Sequence, residues 1–164
     1  MNIGVESLFT SALGLVPPWQ VEKVDLDTTL RRIDFEVRCS AKRLSCPHCG
    51  AAEQPVHDRL RRSWRHLDFF QFEAWLHADV PRVACTGCGK TCQASVPWAR
   101  EGSGFTALFE ALALALCKEL PVLQAAKRAA RDYRTASNFI AIAYLRMSKL
   151  KHLPAHPFAP ALAK

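Results

Sequence analysis

No run of this sequence is apolar for long enough to cross a bilayer. The best stretch, Phe105 to Leu120, is broken by Glu110, Lys118 and Glu119, so it predicts a core helix rather than a membrane span. The N-terminus lacks a basic region followed by an apolar segment, which predicts a cytoplasmic protein. A nucleotide-binding glycine loop is missing, and so is a nucleophile elbow. After Asp132 the chain holds no Asp or Glu at all. Two-metal phosphoryl chemistry needs clustered carboxylates to hold its ions, so the C-terminal part predicts no catalysis and the chain reads as a non-enzyme.

What is present is an apolar, basic chain. Its 164 residues are 49% hydrophobic, enough for one domain with a real core or two small ones, and its formal charge is +7. A positive balance points to an anionic partner, most simply nucleic acid.

The strongest motif is a pair of cysteine knuckles, Cys46-Pro47-His48-Cys49-Gly50 and Cys85-Thr86-Gly87-Cys88-Gly89. A two-residue spacing lets both thiolates of a tight turn reach one ion, and the following glycine is free to take φ > 0. Two knuckles supply the four thiolates of a closed structural zinc site. The other readings are a disulfide pair or a redox motif. An odd total of seven cysteines and the duplication of the motif disfavour both. Cys39 and Cys117 fit small buried hydrophobes. Cys92, four residues after Cys88, is left open as a substitute ligand. His48 is expected to be exposed rather than ligating.

Along the chain, Val5, Leu8, Phe9, Ala12 and Leu13 have helical spacing, with Gly14 as a stop. Pro17 and Pro18 predict extended chain. Residues 19–25 and 30–39 alternate as a hairpin about Asp27-Thr28-Thr29, with Ile33, Phe35, Val37 and Cys39 on one face. Between the knuckles, Arg59, Arg61, Arg62 and Arg65 lie among His57, Trp64 and His66. That cluster reads either as a solvated face or as phosphate contacts. Trp64 reads as a base-stacking platform or, more commonly, as core. Phe70, Phe72, Ala74, Leu76, Ala78 and Val80 then alternate as a long half-buried strand that Pro81 ends or marks as an edge. A short strand over 94–97 closes the β-rich part.

Glu101-Gly102-Ser103-Gly104 is the best boundary, because the period changes there from two to 3.6. Phe105, Leu108, Phe109, Leu112 and Leu116 make one helix face, capped by Ser103 or Thr106. A second helix starts at Pro121. A third, over about 136–148, follows a tight turn, as in a helix-turn-helix. It exposes Ser137, Asn138 and Arg146, with Arg134 just before it. Residues 103–149 carry seven Lys or Arg against three Asp or Glu, which favours DNA. The predicted fold is α+β: a β-rich zinc-ribbon-like domain over 1–101, a three-helix helix-turn-helix domain over 102–150, and a disordered tail over 151–164.

The order of these segments resembles the N-terminal part of bacterial insertion-sequence transposases of the ISL-three family. The resemblance rests on the first knuckle, Val56-His57-Asp58-Arg59, Trp64-Arg65-His66-Leu67-Asp68, Val80-Pro81-Arg82-Val83 before Cys85, Val96-Pro97-Trp98-Ala99-Arg100 and Phe105-Thr106. It covers roughly residues 5–150. It implies that Cys46, Cys49, Cys85 and Cys88 bind one structural Zn²⁺. It also implies that the helix-turn-helix helps recognise double-stranded DNA at the transposon's terminal inverted repeats. In that family a DDE catalytic domain follows, and this sequence resembles a transposase truncated before it. A second copy or a full-length transposase is then an expected protein partner. Two other readings remain: a zinc-ribbon protein-interaction module, and the DNA-binding half of a split transposase.

Overall fold

Alternation of apolar and polar residues becomes a twisted sheet whose apolar face is covered by short segments from both ends of the β-rich region. A computed structural model describes residues 4–119 and Gln124. Its elements are α1 (Val5–Ala12), β1 (Trp19–Asp27), β2 (Arg32–Cys39), β3 (Arg43–Leu44), β4 (Gln54–Arg65), β5 (Glu73–Ala84), β6 (Thr91–Gln93) and α2 (Ala107–Glu119). The strand order is β1-β2-β5-β4-β3, with β6 pairing β5. All pairs are antiparallel except β2 with β5, which run parallel from Arg32↔Glu73 to Val37↔Ala78. The chain divides into two units at Phe109 and Glu110. The sheet, both knuckles and the residues through Phe109 make the first. No helix among the described residues is long and apolar enough to cross a membrane.

The predicted inward face of β2 is the core face: Ile33, Phe35, Val37 and Cys39 are all buried, against Ala74, Leu76, Ala78 and Val80 of β5. Trp19, Trp64 and Trp98 close this core edge to face, with ring centroids 4.9 and 5.4 Å apart. Each such pair adds about 0.5–1.5 kcal/mol beyond its burial. Trp64 is therefore core rather than a base platform. α1 packs through Phe9, whose ring lies 4.9 Å from Phe35, and its Thr10 hydroxyl accepts the Val21 amide. Gly14, at φ 64°, ends the helix as the spacing requires.

Several expectations change. Pro17 and Pro18 lie in a turn closed by the Trp19 amide on the Val16 carbonyl, not in extended chain. Phe70 does not belong to β5. Phe69 and Phe72 exchange two backbone hydrogen bonds, which puts Phe70 at a turn tip with φ 55° and 83% exposure. Alternation runs on through such a turn unmarked by Gly or Pro.

Pro81 neither ends β5 nor marks a free edge, since the strand continues to Ala84 and Pro81 is fully buried opposite Arg59. Its carbonyl accepts the Ala94 amide, so its nitrogen faces the same side. There β2 has ended and β6 has not begun, and no ladder bond is lost. The closing strand is 91–93, not 94–97, because Ala94 and Trp98 turn into the core.

α2 begins where predicted, with the Thr106 hydroxyl accepting the Phe109 amide as N-cap. Its buried positions differ. Phe109 and Ala113 are buried, while Leu108 and Leu112 are 57% and 43% exposed. The rotation is set by Phe109, which stacks on Phe105 at 4.9 Å and lies over the Arg65 guanidinium. Two helices are described. The second and third helices of the predicted helix-turn-helix, the tail, and Arg134, Ser137, Asn138 and Arg146 lie outside the described residues.

Candidate metal centre

Both knuckles are built the same way. In the first, the Gly50 amide donates to the Cys46 carbonyl and the Cys46 amide to the Ala51 carbonyl; in the second, Gly89 donates to Cys85 and Cys85 to Lys90. Gly50 and Gly89 sit at φ 75° and 67°, the left-handed turn that their position after the second cysteine requires. β3 leads into the first knuckle and β4 out of it. β5 leads into the second and β6 out of it. Because β4 pairs with β5 through Val56↔Val83, the sheet register carries the two turns to one place. The 35 residues between Cys49 and Cys85 are thus the two long strands whose pairing closes the site, with the turn between them.

The four sulfurs of Cys46, Cys49, Cys85 and Cys88 all lie within 4.8 Å of one another. Cys46 and Cys88 are 3.9 Å apart, and Cys49 and Cys85 are 3.4 Å apart. Four thiolates at about 2.3 Å from one zinc would be separated by about 3.8 Å in a tetrahedron, so the donor set fits that ion. Backbone amides of Cys49 and His48 hold the Cys46 thiol below its usual range. At Cys49 the Ala51 amide pulls the same way, but hydrogen bonding to Cys85 and burial outweigh it and push that thiol up. Four sulfurs this close cannot all ionise without a cation among them. A closed four-cysteine site has no open position for water or substrate, which makes it structural.

Gln54 was not singled out by the sequence. Its Oε1 accepts the Thr86 amide at 2.8 Å and the Thr86 hydroxyl at 3.0 Å, while its Nε2 donates to Ala52. One buried amide thus ties the first knuckle to the second. A glutamine at the start of a strand gives no signal of this in one dimension. Cys92 packs beside Cys46 and Cys85 but is not one of the four clustered sulfurs.

The arginine cluster does not form one patch. Arg59 and Arg61 project from the outer sheet face, where Arg61 reaches Glu36 at 2.6 Å and Asp79 at 3.8 Å. Among the described residues Arg59 meets the carbonyls of Cys39 and Asp79, at 3.4 and 3.5 Å. Arg62 points to the opposite face, beside Trp64. Arg65 is 1% exposed, paired with Asp68, and donates to the carbonyls of His66 and Ala74. A side chain so enclosed has no surface to offer a phosphate, and Arg65 leaves the set of expected DNA contacts.

Next to it, His66 Nδ1 lies 2.8 Å from the Thr106 hydroxyl that caps α2. Burial, with help from the Arg65 charge, lowers the His66 pKa to about 4. The neutral ring accepts the Thr106 hydroxyl proton and leaves that oxygen free to accept the Phe109 amide. Between about pH 6.5, the unfolded value, and about 4, the unfolded chain binds a proton that the folded chain refuses. Stability should therefore be full above about pH 6.5 and fall as the pH drops toward 4. Urea unfolding across that range checks it, and His66→Gln should flatten this part of the profile.

Comparison with known proteins agrees with this arrangement. Residues 42–88, both knuckles included, match the family described as zinc-finger of transposase IS204/IS1001/IS1096/IS1165. Residues 94–138 match the helix-turn-helix domain of transposase family ISL3. Two similar proteins are the transposases for insertion sequence element IS1557 from Mycobacterium tuberculosis strains CDC 1551 / Oshkosh and ATCC 25618 / H37Rv. Each is 42% identical over 67 residues, covering 40% of this chain and 15% of the transposase. The match thus spans a small part of those relatives' length. No solved structure matches. With a closed four-sulfur site inside the first matched segment, and the capped start of α2 inside the second, what the chain matches is the N-terminal region of ISL3-family transposases, their zinc-ribbon segment followed by their helix-turn-helix segment.

Proposed function

We propose that this chain binds double-stranded DNA at the terminal inverted repeats of an insertion element, with Cys46, Cys49, Cys85 and Cys88 holding one zinc that closes the ribbon. The observation that carries the reading is the four-sulfur site placed directly before a helix-turn-helix match. In this reading the helix over about 136–148 enters the major groove. Ser137 and Asn138 read base edges, and Arg134 and Arg146 hold phosphates. Arg59, Arg61 and Arg62 add contacts of unequal weight, because the outer-face pair shares its surface with carboxylates.

Cutting is not assigned to these residues. Among the described residues the four cysteines are the one group of three or more side chains placed to hold a metal ion. Asp34, Asp58, Asp68 and Asp79 are each engaged by an arginine. The test is the affinity for end DNA and for shuffled DNA across a salt series, with a supercoiled donor plasmid assayed in Mg²⁺ or Mn²⁺. Tighter binding to the ends, weakening steeply with salt, and no nicking is the expected result. Asn138→Ala should lower the preference for the ends by about 1–3 kcal/mol if the side chain makes a bidentate base contact. Salt-independent binding would point instead to a protein-interaction module, and nicking confined to the ends would overturn the assignment of binding alone.

A further inference from the structure

We infer that the open edge of β4, from His57 to Trp64, is a docking site for an extended acidic segment of a partner protein, which adds to the sheet as a further strand. This site does not depend on the DNA-binding reading above, because a row of backbone donors and acceptors matches a peptide strand.

In the strand order β1-β2-β5-β4-β3, β4 has β5 on one side and β3 on the other. β3 pairs only with Gln54 and Pro55. Just beyond it the Val56 amide reaches the Lys42 carbonyl, at 3.4 Å. At the far end the segment after β6 holds Arg65, whose amide donates to the Gly104 carbonyl and whose carbonyl accepts the Thr106 amide. Between these ends no strand among the described residues covers β4. The gap from His57 to Trp64 is about 26 Å of strand.

Two observations fix which backbone groups face outward. Arg65 directs its amide and carbonyl to Gly104 and Thr106, away from β5. Arg59 lies opposite Pro81, which has no amide hydrogen to offer it. The register is unbroken from Arg59↔Pro81 to Arg65↔Trp75, so Arg61 and Ser63 share that direction. Arg59, Arg61 and Ser63 thus turn their amides and carbonyls to the open edge. Their side chains and that of Leu60 are exposed. Such a row of unpaired strand groups is a template for another strand.

Charge decides the occupant. Arg59 and Arg61 project on the outer face and Arg62 on the other. Arg61 is shared with Glu36 and Asp79. Arg59 meets backbone carbonyls and Arg62 the Trp64 ring, and neither holds a carboxylate among the described residues. A second copy is a poor guest. Antiparallel pairing of two β4 edges about a two-fold axis sets Arg59 against Arg59 or Arg61, Arg61 against itself, or Arg62 against itself, whichever of residues 59–62 lies on the axis. Like charges directly opposite destabilise a sheet. A strand rich in Asp or Glu reverses the sign and meets arginine on both its faces. Leu60, 43% exposed, gives that strand one apolar neighbour.

The test uses the full zinc-loaded chain and a capped peptide cut to the length of the gap, with glutamate and valine in alternating pairs so that each face carries both. On binding, amide hydrogen exchange should show new protection at Arg59, Arg61 and Ser63. Leu60 and Arg62, whose amides already face β5, should not change. Arg59→Gln and Arg62→Gln should each weaken binding by up to about five-fold, the size of one cross-strand charge pair. Methylating the peptide's amides along one edge should abolish binding, and along the other edge should not. Ser63→Pro removes an edge amide that β5 does not use, and should abolish binding with zinc content and circular dichroism unchanged. Ser63→Ala should bind as the parent does. If Ser63→Pro does not fold, the methylated peptides decide. Equal binding or equal loss by those two peptides, full binding by a folded Ser63→Pro, or binding without protection of the three edge amides overturns the inference, since the contact is then charge alone. A chain that binds duplex DNA but no peptide at millimolar concentration also overturns it, because the edge arginines then serve nucleic acid and only guard the strand.

Discussion

Serine in place of any one of Cys46, Cys49, Cys85 or Cys88 should strip the chain of its zinc and melt the two knuckles, while leaving most of the sheet folded. The apolar support around the site is small. Cys46, Val83 and Cys85 form its buried cluster, with Leu44, Ala51, Cys88 and Cys92 packed at the edge. Without an ion, two glycine turns and β3, two residues long, have little to bury. Structural zinc in small fingers contributes about 10–16 kcal/mol of apparent binding free energy at neutral pH, far more than these contacts. The main core is separate and larger, built on Phe35, Leu76, Val80 and the three packed tryptophans. Metal analysis should give one zinc per parent chain and a sharp loss in each variant. Hydrogen exchange should show lost protection at the Cys46, Gly50, Cys85 and Gly89 amides, with the amides of β1 and β2 still protected. Cys92→Ser is the control. It lies beside the cluster without joining it, and its zinc should stay. Full zinc retention in all four ligand variants would show that these sulfurs do not hold the ion.

Local patterns in the sequence carried much of this structure, and long-range placement carried the rest. Each knuckle is a five-residue motif whose turn needs its own glycine, so the ligand set can be read from spacing. The inward face of β2 is equally plain, because alternation in a half-buried strand is a local signal. Pro81 is not legible in the same way. Its tolerance depends on β2 ending and β6 starting on one side of it, which the residues around it do not reveal. Gln54 bridges to Thr86, 32 positions away. The buried face of α2 is not legible either, because helical spacing offers Leu108 and Leu112 as readily as Phe109. Contact with Phe105 and Arg65 makes the choice. The arginines share one stretch of sequence but not one face, because successive residues of a strand point to opposite sides and β4 runs unbroken from Arg59 to Arg65.

Arg65 gives the second large effect, and one opposite in kind from its neighbours. Replacement by Gln or Met should destabilise the sheet unit by about 3–5 kcal/mol, the range for removing one partner of a buried ion pair. The guanidinium sits at 1% exposure between Asp68 and Glu73 and donates to two backbone carbonyls. It also lies 5.9 Å from the Trp75 ring and 5.4 Å from the Phe109 ring. Removing it takes one positive charge from beside the Glu73 carboxylate, which lies 3.9 Å away and is 17% exposed, and takes away one side of the Phe105–Phe109 stack that orients the first turn of α2. Lysine should not restore the loss, because one ammonium cannot reach the carbonyls and carboxylates that the planar fork spans. Thermal and urea unfolding measure the effect. Binding to duplex DNA supplies the discrimination, because Arg65 never reaches the surface. At temperatures where Arg65→Gln remains folded, its salt slope should equal that of the parent, whereas Arg62→Gln lowers the slope with little change in stability. An Arg65→Gln protein as stable as the parent, with a slope reduced by about one, would return Arg65 to the DNA interface and refute its place as a buried support beneath Phe109.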